Sequence, residues 1–335
     1  MFNKKYPYVI AEVGSNHLGR EILCKQSIIQ AKEAGADCVK FQLFNEDNLV
    51  NKKLKIYKHV KDKKLKFQYQ RFKKVKISID QVKRFSKFSK KIGIDFVVTP
   101  FDHRYVNKIK NYVTFFKVAS GDIDNHLILE EIAKTKKNVV ISTGMSNLEE
   151  IKKAVSFFPK NKVSLLHCIS SYPADFSNAN LININYLQKK FNLRVGYSDH
   201  VPGVDVAANS VLFGAKIIEK HFMPKKTSLA GDYKLSIDKN DLKKMIIKIK
   251  HNFDMIGIVR TSHYKCENYF KKTLRRSIYF SKDLKKSHKI TYDDLALLRP
   301  LDKNGLQPKN YKKIIGRRLK KNAKKHQLIK INSIK

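Results

Sequence analysis

The most constraining feature of this chain is a rhythm. Eight short apolar runs, each rich in β-branched or aromatic residues, recur along the sequence: Tyr8–Val13, Cys38–Leu43, Ile94–Val98, Val113–Ala119, Asn138–Ser142, Val163–His167, Leu193–Tyr197 and Ala215–Glu219. Between most of them lies a segment with helical spacing of its apolar residues. Arg20–Ala34 stops at Gly35, Asp80–Lys91 stops near Gly93, and Ser146-Asn-Leu-Glu149 reads as a capping box opening the next helix. Strands alternating with helices predict a parallel sheet, because a parallel neighbour is reached only through a crossover. Eight such units fit a closed (β/α)8 barrel better than an open doubly wound sheet. The rhythm is interrupted once, between Leu43 and Ile94, by a long connection holding the basic stretches Asn51–Lys58 and Lys61–Lys76. A long loop after a barrel strand is either a lid or partner contact on the catalytic face, or a solvated insertion.

After the eighth run comes an amphipathic helix, Asp241–Ile256, and then a change of texture. Ser262–Lys272 is polar and reads as irregular; from Arg275 onward the pieces Arg275–Phe280, Lys289–Tyr292, Leu295–Leu298 and Leu328–Ile331 are short and strand-like. The expected division is a barrel over residues 1–260, a linker over 261–274 and a small β-rich module over 275–335. No apolar run reaches membrane length, and Glu12 cuts the N-terminal apolar run too short for a signal peptide. Cys24, Cys38, Cys168 and Cys266 show no CxxC spacing and read as reduced core residues of a cytoplasmic protein.

The net charge of +41 raises the question of nucleic acid. Segments 51–76, 265–290 and 312–335 carry +11, +7 and +10 of it, all away from the strand ends, and the excess is 59 Lys against 11 Arg. Specific phosphate and base recognition favours Arg, so the charge reads as a solvated lysine-rich surface. A nucleic-acid-binding chain would instead bind tightly at physiological salt, with a steep salt dependence.

In a barrel, chemistry sits at the carboxyl ends of the strands. There the runs deliver Glu12, Lys40 with Gln42, Thr99, Lys117 with Ser120 and Asp122, Ser142, Ser170 with Tyr172, Ser198 with His200, and His221. Lys40 and Lys117, spaced by two from apolar positions, point into the mouth; with Thr99, Ser120, Ser142, Ser170 and Ser198 they make a site for a multiply charged oxyanion such as phosphate. His200 and His221 end adjacent runs and would hold a divalent metal that polarises a carbonyl. Glu12, Gln42, Asp122 and Asp232 suit hydroxyls. Phosphorylated anion, metal and polyol together point to carbon–carbon bond formation between an enol phosphate and an aldehyde sugar.

Ile10-Ala-Glu-Val-Gly-Ser-Asn-His-Leu-Gly19, Val39-Lys-Phe-Gln42, Thr99-Pro-Phe-Asp102, Lys117-Val-Ala-Ser-Gly-Asp122, Ser142-Thr-Gly-Met145, His167-Cys-Ile-Ser-Ser-Tyr-Pro173, Gly196-Tyr-Ser-Asp-His200 and Ile218-Glu-Lys-His-Phe222, in that order, resemble the sialic acid synthases. These condense phosphoenolpyruvate with N-acylmannosamine-type sugars. The tail, with Arg299-Pro300 and Ile315-Gly316, looks like that family's antifreeze-like domain. The resemblance implies Mn²⁺ or Mg²⁺ on His200 and His221. It implies phosphoenolpyruvate on Lys40, Thr99, Lys117, Ser120, Ser142, Ser170 and Ser198, and the sugar on Glu12, Gln42, Asp122, Tyr172 and Asp232. It also implies a domain-swapped homodimer in which Arg299 covers the partner's sugar. After His221 the family often reads Gly-Pro-Asp-His, whereas this chain reads Ala230-Gly-Asp-Tyr233, and some relatives carry Glu and Asn where Asp122 and Ser170 stand. The departures lie on the sugar side and leave room for a deoxygenated diacetamido acceptor, as used for legionaminic or pseudaminic acid. A related phosphoenolpyruvate-using aldolase for a sugar phosphate would need extra arginines at the mouth, and a barrel serving only as a scaffold would not need these polar strand ends.

Overall fold

The computed structural model describes residues 2, 4–57 and 65–335; part of the basic connection expected at 51–76, residues 58–64, lies outside them. The chain divides into two compact units, Met1–Gly257 and Ile258–Lys335.

The first unit is a closed eight-stranded parallel barrel, β1 (Tyr8–Glu12), β2 (Cys38–Leu43), β3 (Asp95–Pro100), β4 (Phe116–Val118), β5 (Val139–Ser142), β6 (Val163–Cys168), β7 (Arg194–Asp199) and β8 (Ile217–His221), paired in sequence order with β8 closing on β1. Around it run α1 (Glu21–Ala34), α2 (Glu46–Leu49), α3 (Gln68–Val75), α4 (Ile79–Ile92), α5 (His103–Ile109), α6 (His126–Lys134), α7 (Leu148–Ser156), α8 (Ile182–Phe191), α9 (Asp205–Asn209) and α10 (Lys239–Ile256). The helix stops fall where the glycines place them: Gly35 (φ 93°) and Gly93 (φ 73°) take the left-handed conformation that ends α1 and α4. The capping box at α7 sits one residue later than expected. Asn147 caps Glu150, while Ser146 Oγ is taken by the Gly144 carbonyl in the preceding turn.

Strand periodicity builds the site. Tyr8, Ile10, Cys38, Val97, Phe115, Val140, Leu166 and Ile217 form one apolar cluster separate from the larger core under the helices, and they fill the barrel. Two residues further along each strand, on the same face, come Glu12, Lys40, Thr99, Lys117, Ser142, Cys168 and Glu219. Gly196 keeps the plug closed on β7, since a Cβ there would lie 2.0 Å from the Ile217 carbonyl oxygen. An apolar floor therefore changes to a polar mouth within one strand repeat.

The residues before the two strand-end histidines are tied together. Lys220 Nζ lies 2.7 Å from Asp199 Oδ2, both fully buried, and also donates to the Val201 carbonyl. Lys220→Met would leave Asp199 without its cation and is expected to lower the stability of the barrel by about 3–5 kcal/mol, read from the urea midpoint.

In the second unit β9 (Ser277–Phe280) pairs antiparallel with β10 (Leu295–Leu298) over a core including Ile278, Phe280, Ile290, Ile314, Leu319 and Ile329. Buried Asp294 ties its turns, accepting from Thr291 N at 2.8 Å and His288 Nε2 at 2.8 Å. The other expected strand pieces form only single bridges, Lys289 with Arg318 and Leu328 with Tyr279. The linker expected at 261–274 contains α11 (Asn268–Leu274), preceded by a short 3-10 turn, Lys265–Glu267, in which the Glu267 carboxylate accepts from Tyr264 N at 2.6 Å. All four cysteines are free; Cys24, Cys38 and Cys168 are buried, but Cys266, in a short turn, is exposed rather than core. Among the described residues no helix is long and apolar enough to cross a membrane.

Candidate active site

The mouth holds a buried four-charge cluster. Lys40 Nζ is 2.8 Å from Glu12 Oε2, 3.6 Å from Glu219 Oε2 and 3.3 Å from Thr99 Oγ1. Lys117 Nζ donates to Ser142 Oγ at 2.6 Å and to the Val118 carbonyl at 3.0 Å, and stands 3.8 Å from Glu219 Oε1, which accepts from Ser198 Oγ at 3.1 Å. Gln42 Nε2 donates to Glu12 Oε1 at 2.7 Å.

Burial pushes the Glu12 carboxyl up, with Lys40 opposing. Burial also works against the Lys40 cation, yet Glu12 and Glu219 outweigh it and hold Lys40 above its usual value. Lys117 falls below its usual value, because burial dominates and Lys40 repels it, and the opposing pull of Glu219, with smaller help from Cys168 and Glu12, does not make up the difference. Burial likewise disfavours the Glu219 carboxylate, and the charges of Lys117 and Lys40 bring it below the usual range. Lys117 is thus the under-compensated cation, and an incoming anion would complete its neutralisation.

A second group of hydroxyls adjoins this cluster. Ser120 Oγ accepts from Gly144 N at 3.1 Å, and Ser170 Oγ is buried without a hydrogen-bond partner. Gly144 makes room for both, since a Cβ there would lie 2.3 Å from Ser170 Oγ and 2.9 Å from Ser120 Oγ.

The two histidines meet as their strand ends predict, ring centroids 5.3 Å apart, with the Tyr172 ring 4.2 Å from His200. His200 Nδ1 lies 2.7 Å from the Ile169 carbonyl, which can only accept, so Nδ1 donates and Nε2 keeps a lone pair. Burial opposes protonation of His200, but Cys168, 3.8 Å away, raises it above its usual value. His221 is held neutral by burial, its pKa lowered to about 3, and its buried Nδ1 has no hydrogen-bond partner. Asp232 Oδ2 stands 3.9 Å from that nitrogen and accepts from Ser15 Oγ at 3.2 Å. A neutral His221 with an unpartnered Nδ1, and a His200 that presents Nε2 once it gives up its extra proton, fit a divalent ion beside a carboxylate. Among the described residues no group of three or more His, Cys, Asp or Glu side chains is gathered closely enough to hold an ion unaided, so the remaining ligands would come from substrate and water.

Thirteen of the fifteen site residues read from the sequence fall around this mouth. Asp122 stands in the turn after β4, where its Oδ1 accepts from Asn125 Nδ2 at 3.2 Å. Arg299 is exposed just past β10, in the second unit. Two residues were not singled out from the sequence. Glu219 is the acid shared by both lysines, and its position two before His221, on the same strand face, was the available signal. Arg71, the lone arginine among the lysines of segment 51–76, donates to Ser15 Oγ at 2.6 Å and lies 3.8 Å from Asp232 Oδ1.

Known proteins are similar to this chain in sequence and in fold. An N,N'-diacetyllegionaminic acid synthase of Campylobacter jejuni is 34% identical over 334 residues, 97% of this chain and 99% of its own length. A pseudaminic acid synthase of the same organism is 31% identical over 328 residues, 96% and 94% of the two chains. Among solved structures, the N-acetylneuraminic acid synthetase of Leptospira borgpetersenii, in complex with citrate, superposes with a TM-score of 0.71 at 31% identity, over 79% of this chain and 90% of that one. Residues 275–335 match the SAF domain. With residues 27–260 matching the NeuB family, the chain belongs to that family, as a barrel followed by a SAF domain.

Proposed function

We propose that the protein is a nonulosonate synthase, a C–C bond-forming transferase that condenses phosphoenolpyruvate with an N-acetylmannosamine-type amino sugar to give a nine-carbon sialic-acid-type product and phosphate. The observation that carries this reading is the pair of buried lysines, Lys40 and Lys117, set among hydroxyls beside two neutral-capable imidazoles at one barrel mouth. The names of the relatives support the same reaction class.

In this reading Lys40, Lys117, Thr99, Ser120, Ser142, Ser170 and Ser198 hold the carboxylate and phosphate of phosphoenolpyruvate. Glu12, Gln42, Tyr172 and Asp232 hold the sugar in its open-chain form, and Arg299 of a domain-swapped partner closes over it. Asp122 joins them through Oδ2, while its Oδ1 accepts from Asn125. Mn²⁺ or Mg²⁺ on His200 and His221 would supply Lewis acidity to the aldehyde oxygen. Carbon 3 of phosphoenolpyruvate attacks the aldehyde carbon, water adds at carbon 2, and the tetrahedral intermediate expels phosphate with cleavage of the C–O bond. Lys117 neutralises the charge that gathers on the departing phosphate. Proton transfer falls to Glu12 or Asp232. Four free cysteines suit a reducing, cytoplasmic setting for this reaction.

Phosphoenolpyruvate carrying ¹⁸O in the bridging position tests the chemistry. The expected result is ¹⁸O-labelled phosphate together with a product of nonulosonate mass; unlabelled phosphate would exclude C–O cleavage. The serine pocket has its own test. Gly144→Ala puts a methyl group against Ser170 and Ser120 and is expected to lower kcat/KM for phosphoenolpyruvate by about 10²-fold, measured by phosphate release, with little change in the KM of the sugar.

A further inference from the structure

The basic segment between β2 and α4 contributes a built piece of the mouth. Helix α3 is docked by close backbone contact, since a Cβ on Gly19 would lie 2.1 Å from the Lys74 carbonyl oxygen. From this helix Arg71, itself buried, reaches Ser15 Oγ at 2.6 Å and stands 3.8 Å from Asp232 Oδ1. Ser15 in turn donates to Asp232 Oδ2 at 3.2 Å, so one hydroxyl bridges guanidinium and carboxylate. The fit is complementary: a Cβ on Gly231 would lie 1.8 Å from Arg71 Nη2, so the glycine before Asp232 leaves the space that the guanidinium fills.

A guanidinium carries five N–H donors and no acceptor, and among the described residues Arg71 donates one hydrogen bond, to Ser15. Its charge is compensated by Asp232 at a distance too long for a direct hydrogen bond. Such a pair offers donors on one side and an acceptor on the other, without the net positive charge that a phosphate demands. We infer that Arg71 is a specificity-determining residue of the acceptor subsite. It donates to the carbonyl oxygen of a second acylamino substituent on the sugar while Asp232 accepts from a neighbouring hydroxyl, so the acceptor is an uncharged diacetamido hexose rather than a hexosamine phosphate. This inference rests on the proposed synthase reaction and adds the class of sugar.

The test measures phosphate release by the full-length protein with phosphoenolpyruvate, Mn²⁺ and three acceptors: a diacetamido deoxyhexose, N-acetylmannosamine and N-acetylmannosamine 6-phosphate. The wild type is expected to use the diacetamido sugar with the highest kcat/KM. Arg71→Met is expected to raise the KM for that sugar by about 10–100-fold, the loss of a charged hydrogen bond, and to leave the KM for phosphoenolpyruvate within about threefold. Arg71→Lys should recover only part of the loss, because a point charge lacks the planar fork. Should Arg71→Met not fold, the KM of Arg71→Lys for the sugar carries the comparison. An unchanged sugar KM in the folded variant, equal changes in both KM values, or a wild-type preference for the 6-phosphate would overturn the assignment to Arg71 alone. A wild type silent with all three sugars would overturn the synthase reading as well.

Discussion

Lys117→Met is expected to leave the barrel folded while lowering kcat/KM for phosphoenolpyruvate by about 10³-fold, whereas Lys40→Met should lose stability as well as activity. The difference follows from what each lysine leaves behind. Removing Lys117 takes a hydrogen bond from Ser142 and a cation 3.8 Å from Glu219, but Glu219 keeps Ser198 and Lys40. Removing Lys40 takes the sole cation paired closely with Glu12 among the described residues, at 2.8 Å, and the nearer cation of Glu219. A buried carboxylate left unpaired is expected to reduce stability by about 3–5 kcal/mol. Lys117, already held below its usual pKa by burial and by Lys40, is the residue whose charge an anionic substrate compensates best, so its loss falls on catalysis. Urea unfolding and phosphate-release kinetics on both variants check this. Equal losses of stability in the two, or full activity in Lys117→Met, would contradict the division of roles.

Much of the molecule was legible because one periodicity serves both fold and site. Ile10 and Glu12, Cys38 and Lys40, and Ile217 and Glu219 are each two apart on a strand, so the floor and the mouth of the barrel are written in the same short runs. The convergence of His200 and His221 follows directly from two parallel neighbours ending in histidine. Other features depend on contacts that no local pattern announces. Arg71 sits in a segment whose composition reads as solvated surface; its burial comes from the docking of α3 against Gly19 and Gly231, residues distant in sequence. The hydrogen bond from Asn125 to Asp122 is made by the turn after β4. The capping box at α7 slipped because two adjacent residues, Ser146 and Asn147, could each serve as the cap, and the turn claimed the first. Helix α11 leaves no amphipathic signature because its sequence, Asn268-Tyr-Phe-Lys-Lys-Thr-Leu274, is too short to show a period.

If the two strand-end histidines and the two buried lysines form one metal-assisted condensing site, phosphate release from phosphoenolpyruvate and an amino-sugar acceptor will depend on both metal and His221; it is measured for wild type and His221→Ala, after chelation and on titration with Mn²⁺. His221 brings a neutral imidazole with a buried, unpartnered Nδ1, and removing it takes away the proposed ligand without breaking a protein hydrogen bond at that atom, so the variant should fold. Lewis-acid assistance is worth several kcal/mol, or on the order of 10³-fold in rate. Chelation is expected to silence the wild type, Mn²⁺ to restore it, and His221→Ala to stay at least about 10³-fold slower at saturating Mn²⁺. Full activity of His221→Ala, or a chelated wild type that releases phosphate undiminished, would contradict this expectation.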